Sequence, residues 1–434
     1  MSQSSPASAS ADTGVSAREH ALLERRARLL GPTYRAFYRN PIHLVRGSGV
    51  WLYDAQGRKY LDAYNNVASV GHCHPRVVEA LSGQAATLNT HTRYLSEIIL
   101  DYAEKLLGTL PPHLGHAMFT CTGSEANDLA IRIAQHSSGN TSVIITDFAY
   151  HGATIATAQL SPAAVGAKGV PAQHRTVAAP DTFRDGGRAA HDFAKNVAAA
   201  IEDMRARNIR PAALLLDSAF SSDGIFFPDA AVMREAADHV RKAGGIVIAD
   251  EVQSGFGRLG RGMWGFANYG LEPDIVTMGK PIGDGHPMGA VIVRPQLVSS
   301  FGSNTGYFNT FGGNPVAAAV GIAVLDVIEG EGLIENARTV GAYTGELLDA
   351  LKSRHGMVAD VRHNGLYFGV ELTAEDEATA AKTTSVVEAM REDGVLISSC
   401  GPRGNVLKIR PPLPFARDNA EQLAETLDRA LSTW

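Results

Sequence analysis

The sequence predicts an α/β protein, in which a large domain with a mainly parallel sheet is joined to a smaller α+β domain. Its 434 residues are enough for two or three domains, at roughly 100–200 residues each. From His116 onward, short apolar runs rich in β-branched residues alternate with alanine-rich stretches of helical spacing. This alternation is typical of parallel strands that are covered by helices. A third observation is that the pattern changes again after Pro315, where a separate α+β region begins.

The chain opens with a polar segment, residues 1–16, for which we predict a disordered tail because it cannot bury apolar surface. Charged and apolar residues from Ala17 to Tyr38 recur at helical spacing and predict a helix. The runs Val50–Tyr53 and Lys59–Leu61 then flank the turn sequence Asp54–Gly57, which predicts a strand, a turn and a second strand. We assign residues 17–75 to the small domain.

Residues 76–325 are predicted to form the large domain, in which apolar runs supply strands and longer stretches supply helices. The predicted strands are Ala117–Phe119, Val143–Ile145, Leu214–Leu216, Ile246–Ala249, Ile275–Thr277 and Ala290–Val293. The predicted helices include Glu125–Gln135, Ala189–Arg207 and Ala230–Ala243.

Residues 326–434 are predicted to complete the small domain together with the N-terminal segment. A long helix rich in alanine and valine follows Pro315 and leads into this region. Its predicted elements are the strands Val358–Arg362, Leu366–Leu372 and Asn405–Ile409, a helix near Thr384–Asp393 and a closing helix that ends at Trp434.

Composition excludes several classes of function. The formal net charge of −6 disfavours nucleic acid as a partner, because phosphate backbones attract basic surfaces. No apolar stretch is long enough to span a bilayer, and the N-terminal residues lack the pattern of a secretory signal. The three cysteines form no spaced pairs, which indicates reduced thiols. We therefore expect a cytoplasmic protein that acts on a small molecule.

The segment Thr120–Asn127 follows a predicted strand and opens a predicted helix. Gly123 allows close approach of the backbone, and Ser124 offers a hydroxyl and an N–H at the helix N-terminus, where a phosphate dianion is stabilised. A capped turn with Glu125 in the first helical turn would explain the same residues without a ligand.

Two later strands end in ionisable residues. Asp250 follows the run Ile246–Ala249, which places a carboxylate at the carboxyl end of a buried strand, where open α/β sheets bind ligands. Lys280 follows the run Ile275–Thr277, and a desolvated lysine amine is suited to react with an aldehyde. An Asp that caps the next loop and a solvated lysine are the ordinary alternatives.

Tyr150 and His151 lie just past the strand Val143–Ile145, and Tyr150 could stack on a planar ring or simply pack. A phosphate loop, an aromatic residue, an acid and a lysine thus occur in order at the ends of successive elements. Together they describe a site for an aromatic aldehyde that bears a phosphate.

Several motifs at these positions resemble the class III aminotransferase family, which depends on pyridoxal phosphate. They are Gly71–Pro75, Thr122–Asn127, Tyr150–Gly152, Ala249–Arg258, Gly279-Lys280 and Asn309–Pro315, and the resemblance extends from about Gly47 to the C-terminus. It implies fold type I, the aspartate-aminotransferase-like architecture, with a mainly parallel seven-stranded sheet in the large domain. It also implies a homodimer with shared active sites, and the sequence does not separate a dimer from a tetramer.

The same resemblance assigns roles around the cofactor. Gly123 and Ser124 would hold its phosphate, Tyr150 would stack on its ring, and His151 would belong to the same site. The remaining assignments are Asp250 for the pyridine nitrogen, Gln253 for the ring hydroxyl, Lys280 for the Schiff base and the proton transfers, and Thr310 for the phosphate of the neighbouring subunit.

The triplet His72-Cys73-His74 raises the question of a metal site. Ligands this close in sequence do not converge on one ion without further ligands, so we interpret the triplet as a turn before a helix and expect no metal.

The reaction is predicted from the absence of the residues that bind a substrate carboxylate in aminotransferases. In many members of this family an arginine for the substrate carboxylate lies shortly before a Pro-Pro pair, and here Lys408 occupies that position, with Arg410 two residues later. The glutamate that would pair with this arginine is replaced by Ser222, and an arginine after the aromatic-His-Gly motif is replaced by Ala153. Lysine does not replace a bidentate arginine conservatively.

The segment Asn65–Pro75 together with Val406–Lys408 resembles the branch of phospho-lyases that act on ethanolamine phosphate. We therefore predict elimination of phosphate from a small phosphorylated amine, and we keep open an aminotransferase that uses pyruvate or glyoxylate. The candidate substrate residues are Lys408, Arg410, Arg93, Asn65 and Asn66. A solvated strand face would equally explain Lys408 and Arg410, and a chain turn would explain the two asparagines.

Overall fold

The structure, a computed structural model, describes residues 17–373 and 379–433. The predicted tail, residues 1–16, lies outside the described residues. Within the described ranges, no helix combines the length and the apolar character that crossing a membrane requires.

Helices and strands alternate along the chain. The helices are α1 (Ala17–Leu30), α2 (Pro75–Thr87), α3 (Glu97–Leu107), α4 (Gly123–Ser138), α5 (Ile155–Gln159), α6 (Pro162–Val165), α7 (Arg188–Ala206), α8 (Ala230–Lys242), α9 (Pro295–Asn304), α10 (Pro315–Gly330), α11 (Leu333–Arg354), α12 (Thr379–Glu392) and α13 (Arg417–Ser432). The strands are β1 (Leu44–Ser48), β2 (Trp51–Asp54), β3 (Lys59–Asp62), β4 (His116–Thr120), β5 (Ser142–Thr146), β6 (Arg175–Val177), β7 (Pro211–Asp217), β8 (Ile246–Asp250), β9 (Ile275–Met278), β10 (Gly289–Val293), β11 (Val358–His363), β12 (Phe368–Leu372), β13 (Val395–Leu396), β14 (Ser398–Cys400) and β15 (Val406–Ile409).

The large sheet has seven strands in the order β4-β10-β9-β8-β7-β5-β6 among the described residues. Neighbouring strands in the series β9-β8-β7-β5-β6 are parallel to each other, whereas β10 is antiparallel to both β4 and β9. The central strands are buried on both faces, as expected for parallel strands covered by helices. This arrangement confirms the predicted α/β class with a mainly parallel sheet.

Two smaller sheets lie at the ends of the chain, in the orders β1-β2-β3-β13 and β11-β12-β15-β14. Strand β13 pairs in parallel with β3, so the N-terminal and C-terminal segments share one sheet. Strand β15 lies between β12 and β14 in the other sheet, with Lys408 opposite Gly369 on one side and Ser398 on the other.

The helix predicted from Ala17 to Tyr38 is shorter than expected, because α1 ends at Leu30. Gly31 follows with a φ of +67°, a left-handed conformation that glycine adopts easily and that ends a helix. Pro32 then cannot continue the helical hydrogen bonds.

Candidate active site

Three polar side chains stand in a row at the carboxyl edge of the large sheet. In the parallel register Asp217 of β7 is opposite Asp250 of β8, which is opposite Thr277 of β9. Lys280 follows β9 after Gly279, so the lysine and both carboxylates reach the same edge. Strand ends in a parallel sheet meet at one edge, which explains how residues far apart in sequence come together.

Asp250 is held by a buried network of hydrogen bonds. Its Oδ2 lies 2.8 Å from Asn127 Nδ2 and 2.8 Å from His151 Nδ1. Asn127 Nδ2 also donates to the carbonyl of His151 at 2.8 Å, and Asn127 Oδ1 accepts from the Thr277 hydroxyl at 2.6 Å. The carboxylate is therefore fixed in orientation, because strand, helix and loop each contribute a contact.

The N-terminus of α4 forms one end of the site. Thr122 caps the helix by accepting from Glu125 N–H at 3.1 Å, and Glu125 Oε2 accepts from Cys121 N–H at 2.9 Å. Gly123 and Ser124 are the first two helical residues, and the N–H groups at such positions have no intrahelical acceptor. The capped turn therefore leaves these N–H groups available for the anion site predicted from the sequence.

Backbone segments approach one another closely around this helix end. A Cβ on Gly152 would lie 2.6 Å from Ser124 Oγ, and one on Gly279 would lie 2.9 Å from Gly123 Cα. Gly152 also has a φ of +142°, which side-chain-bearing residues rarely adopt. The glycines keep open the space at which the helix end, the Tyr150–Gly152 segment and the β9 end meet.

These elements enclose a pocket of about 490 Å³, counting the space open to solvent. Its lining residues are Gly123, Ser124, Asn127, Tyr150, His151, Gly152, Asp217, Asp250, Val252, Gln253 and Lys280. The sequence-predicted cofactor residues other than Thr310 are thus brought together within one chain.

Lys280 sits in a strained and desolvated position. Its φ of +26° is rare for a non-glycine residue, and such strain persists only where the surrounding structure imposes it. Burial lowers the pKa of its amine, and the positive charge of Arg410 lowers the pKa further, while Asp250 and Asp217 oppose the shift. A lysine with a depressed pKa has more of the neutral amine that condenses with an aldehyde.

The residues of the pocket fit pyridoxal phosphate. The free N–H groups and Ser124 match a phosphate, Asp250 matches a protonated pyridine nitrogen, and Lys280 matches the aldehyde. His151 Nε2 is buried and has no hydrogen-bond partner among the described residues. Buried polar atoms are normally hydrogen-bonded, so this nitrogen is suited to contact a bound cofactor.

Lys408 and Arg410 are buried, with 7% and 5% of their surface exposed, so the solvated strand face is wrong for both. Lys408 Nζ donates to the Ser221 carbonyl at 2.8 Å. Burial, followed by the charge of Arg410, lowers the pKa of Lys408 to about 7, and Lys280 contributes to the same direction. Because these charges act on one another, Lys280, Lys408 and Arg410 form a single cluster of cations.

The two asparagines differ in what they contact. Asn65 Oδ1 accepts from Val67 N–H at 3.0 Å, so its side chain stabilises a turn. Asn66 is buried and accepts from Arg410 Nη1 at 3.2 Å. Of the pair, Asn66 is the one connected to the cation cluster.

Arg93 and Thr310 lie outside the pocket of their own chain. Both are exposed, and the Arg93 guanidinium stacks 3.8 Å from the centre of the Phe308 ring. The structure of a single chain therefore does not bring either residue to Lys280.

The side chains of the His72-Cys73-His74 triplet diverge. His72 Nε2 lies 2.6 Å from Asp62 Oδ2, whereas His74 Nε2 lies 3.0 Å from Glu331 Oε1. Within the described ranges, no group of three or more metal-binding side chains occurs.

Sequence reasoning missed Asp217, Asn127 and Tyr367. Asp217 ends the apolar run Leu214–Leu216 in the same way that Asp250 ends its own run, so the same rule could have identified it. Asn127 lies in the motif Thr122–Asn127, which by itself indicates no role for the asparagine. Tyr367 is buried beside Gln253, with its hydroxyl 3.3 Å from Gln253 Oε1, and no local signal marked it.

Comparison with known proteins gives a consistent assignment. The sequence profile described as aminotransferase class-III matches residues 34–431. An ethanolamine-phosphate phospho-lyase homolog 1 from Caenorhabditis elegans is 37% identical, covering 99% of this chain and 97% of its own length. An alanine–glyoxylate aminotransferase 2 homolog 2 from Arabidopsis thaliana, a mitochondrial protein, is 39% identical and covers 97% and 88%.

Solved structures show the same similarity. A phospholyase from Arthrobacter in complex with phosphoethanolamine superimposes with a TM-score of 0.91 and 43% identity, covering 95% of this chain and 100% of the other. An amine transaminase from an uncultivated Pseudomonas species, in its pyridoxal-phosphate-bound form, gives a TM-score of 0.84 and 26% identity, covering 93% and 98%.

Proposed function

The chain belongs to the class III aminotransferase family, and on that premise we propose that it is a lyase that eliminates phosphate from a small phosphorylated amine such as ethanolamine phosphate. It is an enzyme whose cofactor is pyridoxal phosphate. When bound, the cofactor supplies an electron-withdrawing ring that stabilises negative charge on the carbon next to the substrate nitrogen.

The observation that carries the proposal is the pair of buried cations Lys408 and Arg410, whose charged groups each lie 6.0 Å from the centre of the Tyr367 ring. Within the part of the chain that the structure describes, neither Lys408 nor Arg410 has a carboxylate at ion-pair distance. Buried charges without a counter-ion are costly, and a substrate phosphate dianion would neutralise this cluster. A phosphate offers more negative charge and more acceptor atoms than a carboxylate does.

Each residue of the chain has a defined task in this reaction. Lys280 Nζ takes the proton from the carbon that bears the substrate nitrogen, and the C–O bond at the adjacent carbon breaks to release phosphate. Lys408 holds the phosphate group, and Arg410 adds positive charge nearby. Water then converts the remaining enamine to acetaldehyde and ammonia, which balances the atoms of ethanolamine phosphate plus one water.

A second candidate, an aminotransferase that uses pyruvate or glyoxylate, is favoured by one observation. Arg410 is buried and its charge lowers the pKa of Lys280, and a planar guanidinium of this kind binds a planar carboxylate well. The Arabidopsis relative named as an alanine–glyoxylate aminotransferase is consistent with this alternative.

A direct experiment separates the two functions. The pyridoxal-phosphate-loaded protein is mixed with ethanolamine phosphate in the absence of any keto acid, and phosphate, ammonia and acetaldehyde are measured. We expect equal amounts of the three products. Absence of phosphate release, together with formation of alanine or glycine from an amine plus pyruvate or glyoxylate, would overturn the lyase and establish the aminotransferase.

We also propose that two copies of the chain share their sites. Large apolar side chains are exposed in two segments of one chain, residues 88–95 and 308–311, and the ring contacts of His91 with Tyr94 and with Phe308 bring the two segments together. This aromatic patch consists of Leu88, Tyr94, Leu95, Phe308 and Phe311. A second copy that covers the aromatic patch would bring its own loop, with Thr310, towards the cofactor phosphate.

A further inference from the structure

The carboxamide of Gln253 has a fixed orientation in the pocket. Arg410 Nη1 donates to Gln253 Oε1 and also to Asn66 Oδ1 at 3.2 Å, and the Tyr367 hydroxyl lies 3.3 Å from the same Gln253 oxygen. A guanidinium donates hydrogen bonds and accepts none, so the Gln253 atom that faces it must be the oxygen. The two atoms of the amide are therefore distinguished by chemistry alone.

This orientation leaves the amide nitrogen available. Among residues 17–373 and 379–433, none accepts a hydrogen bond from Gln253 Nε2. Gln253 lines the same pocket as Asp250 and Lys280. Its N–H donors are consequently the part of the side chain that remains for a bound group.

Arg410 cannot easily take another position. Its guanidinium carbon lies 5.1 Å from the centre of the Tyr64 ring and 6.0 Å from that of the Tyr367 ring. Its backbone N–H donates to the Ala63 carbonyl at 2.7 Å. Because rings flank the side chain and the main chain is bonded, the donor that faces Gln253 is preorganised.

We propose that Arg410 is a positioning residue for the cofactor: it holds Gln253 Oε1, so that Gln253 Nε2 donates to the ring hydroxyl of pyridoxal phosphate, and it places a fixed positive charge beside Lys280. The resemblance to the family assigns the ring hydroxyl to Gln253, and Arg410 acts on that contact through Gln253 Oε1. Both effects favour the neutral form of the Lys280 nitrogen, in agreement with the lower pKa that Arg410 imposes on that amine. The inference goes beyond the proposed function, because it applies to a lyase and to an aminotransferase alike.

The test is a pH titration of the visible absorbance of the bound cofactor, carried out on the loaded enzyme without substrate. We expect Arg410→Met to raise the midpoint by about one pH unit, as removal of a nearby charge does. Gln253→Ala should raise it as well, and the double variant should shift it by less than the sum, because the residues act through one contact. Arg403→Met removes an exposed arginine from the same hairpin and should leave the midpoint unchanged.

An unchanged midpoint in Arg410→Met, or strictly additive shifts in the double variant, would overturn the proposal. If Arg410→Met does not fold, Tyr367→Phe and Asn66→Ala each remove one hydrogen bond of the same network and should give smaller shifts in the same direction. No shift in either variant would then overturn it. Since no substrate is present, either failure leaves the phosphate-release experiment unaffected.

Discussion

Lys408 lies in β15 and Arg410 directly follows that strand, yet their buried side chains have different partners. Arg410 Nη1 donates hydrogen bonds to Gln253 Oε1 and Asn66 Oδ1, whereas Lys408 Nζ donates to the Ser221 carbonyl. The single contact of Lys408 leaves two of its three donors for a ligand. At the residue scale we therefore assign the phosphate contact to Lys408 first and cofactor positioning to Arg410.

The charge state of Lys408 predicts a pH dependence. Its pKa in the folded protein is lowered to about 7, so the amine is charged below that pH and becomes neutral above it. The value of kcat/KM for ethanolamine phosphate should accordingly fall as the pH rises through about 7, because kcat/KM reports the free enzyme. Steady-state rates measured across this range test the prediction.

Variants identify the group that titrates. Lys408→Met should lose this alkaline decline. Its kcat/KM should be about 10- to 100-fold below the wild-type value at pH values below about 7, the usual loss for a hydrogen bond to a charged group, and the difference should shrink at higher pH. Arg403→Met, on the same hairpin but exposed, should keep the wild-type profile. Persistence of the decline in Lys408→Met would show that another group is responsible.

At the scale of elements, the loop of residues 218–229 runs from β7 to α8 and contacts β11 of the C-terminal sheet. Ile225 has a φ of +65°, which is unusual for a β-branched residue and stores strain of roughly 1–3 kcal/mol. Arg362 of β11 donates to the carbonyls of Gly224 and Ile225 at 2.8 and 2.9 Å. This clamp holds the loop that offers the Ser221 carbonyl to Lys408.

Arg362 should therefore matter for stability. Its Nη1 also forms ion pairs with Asp360 at 2.9 Å and with buried Glu371 at 2.8 Å. Arg362→Met is expected to lower the free energy of unfolding by about 3 kcal/mol, because Glu371 loses one of its two arginine partners and the carbonyls of Gly224 and Ile225 lose their donor. Lys352→Met removes the exposed partner of the same Asp360 and should cost less than about 1 kcal/mol. Denaturant unfolding of both variants checks this, and equal losses would contradict the clamp.

At the scale of the whole molecule, the aromatic patch predicts that the enzyme is a dimer. Leu95 is 102% exposed in one chain, and a Leu of this kind beside exposed aromatic residues is typical of a surface that a partner covers. Leu95→Asp should shift the protein from dimer to monomer and reduce its activity. Light scattering after size-exclusion chromatography, combined with rate measurements, provides the test.

A matched control uses another exposed apolar residue. Val165 of α6 is partly exposed and does not belong to the aromatic patch, so Val165→Asp should keep both the dimer and the activity. A wild-type protein that is monomeric and fully active at assay concentrations would contradict shared sites.

The sequence by itself determined the α/β class, the mainly parallel sheet and the family, because these depend on local periodicity and on contiguous motifs such as Thr122–Asn127 and Ala249–Arg258. The end of an apolar run sufficed to place Asp250 and Lys280 at the sheet edge, and the same rule would have given Asp217. It did not place the end of α1, which was predicted too long.

Only the tertiary structure decided that Lys408 and Arg410 are buried, since an alternating strand reads the same whether its polar face meets solvent or another part of the chain. Likewise, the bond from Arg410 to Gln253 joins residues 157 positions apart, and Tyr367, directly before β12, reaches the same amide. Such contacts depend on how sheets pack against each other. Local sequence carries no record of that packing, and the chemistry of the pocket depends on it.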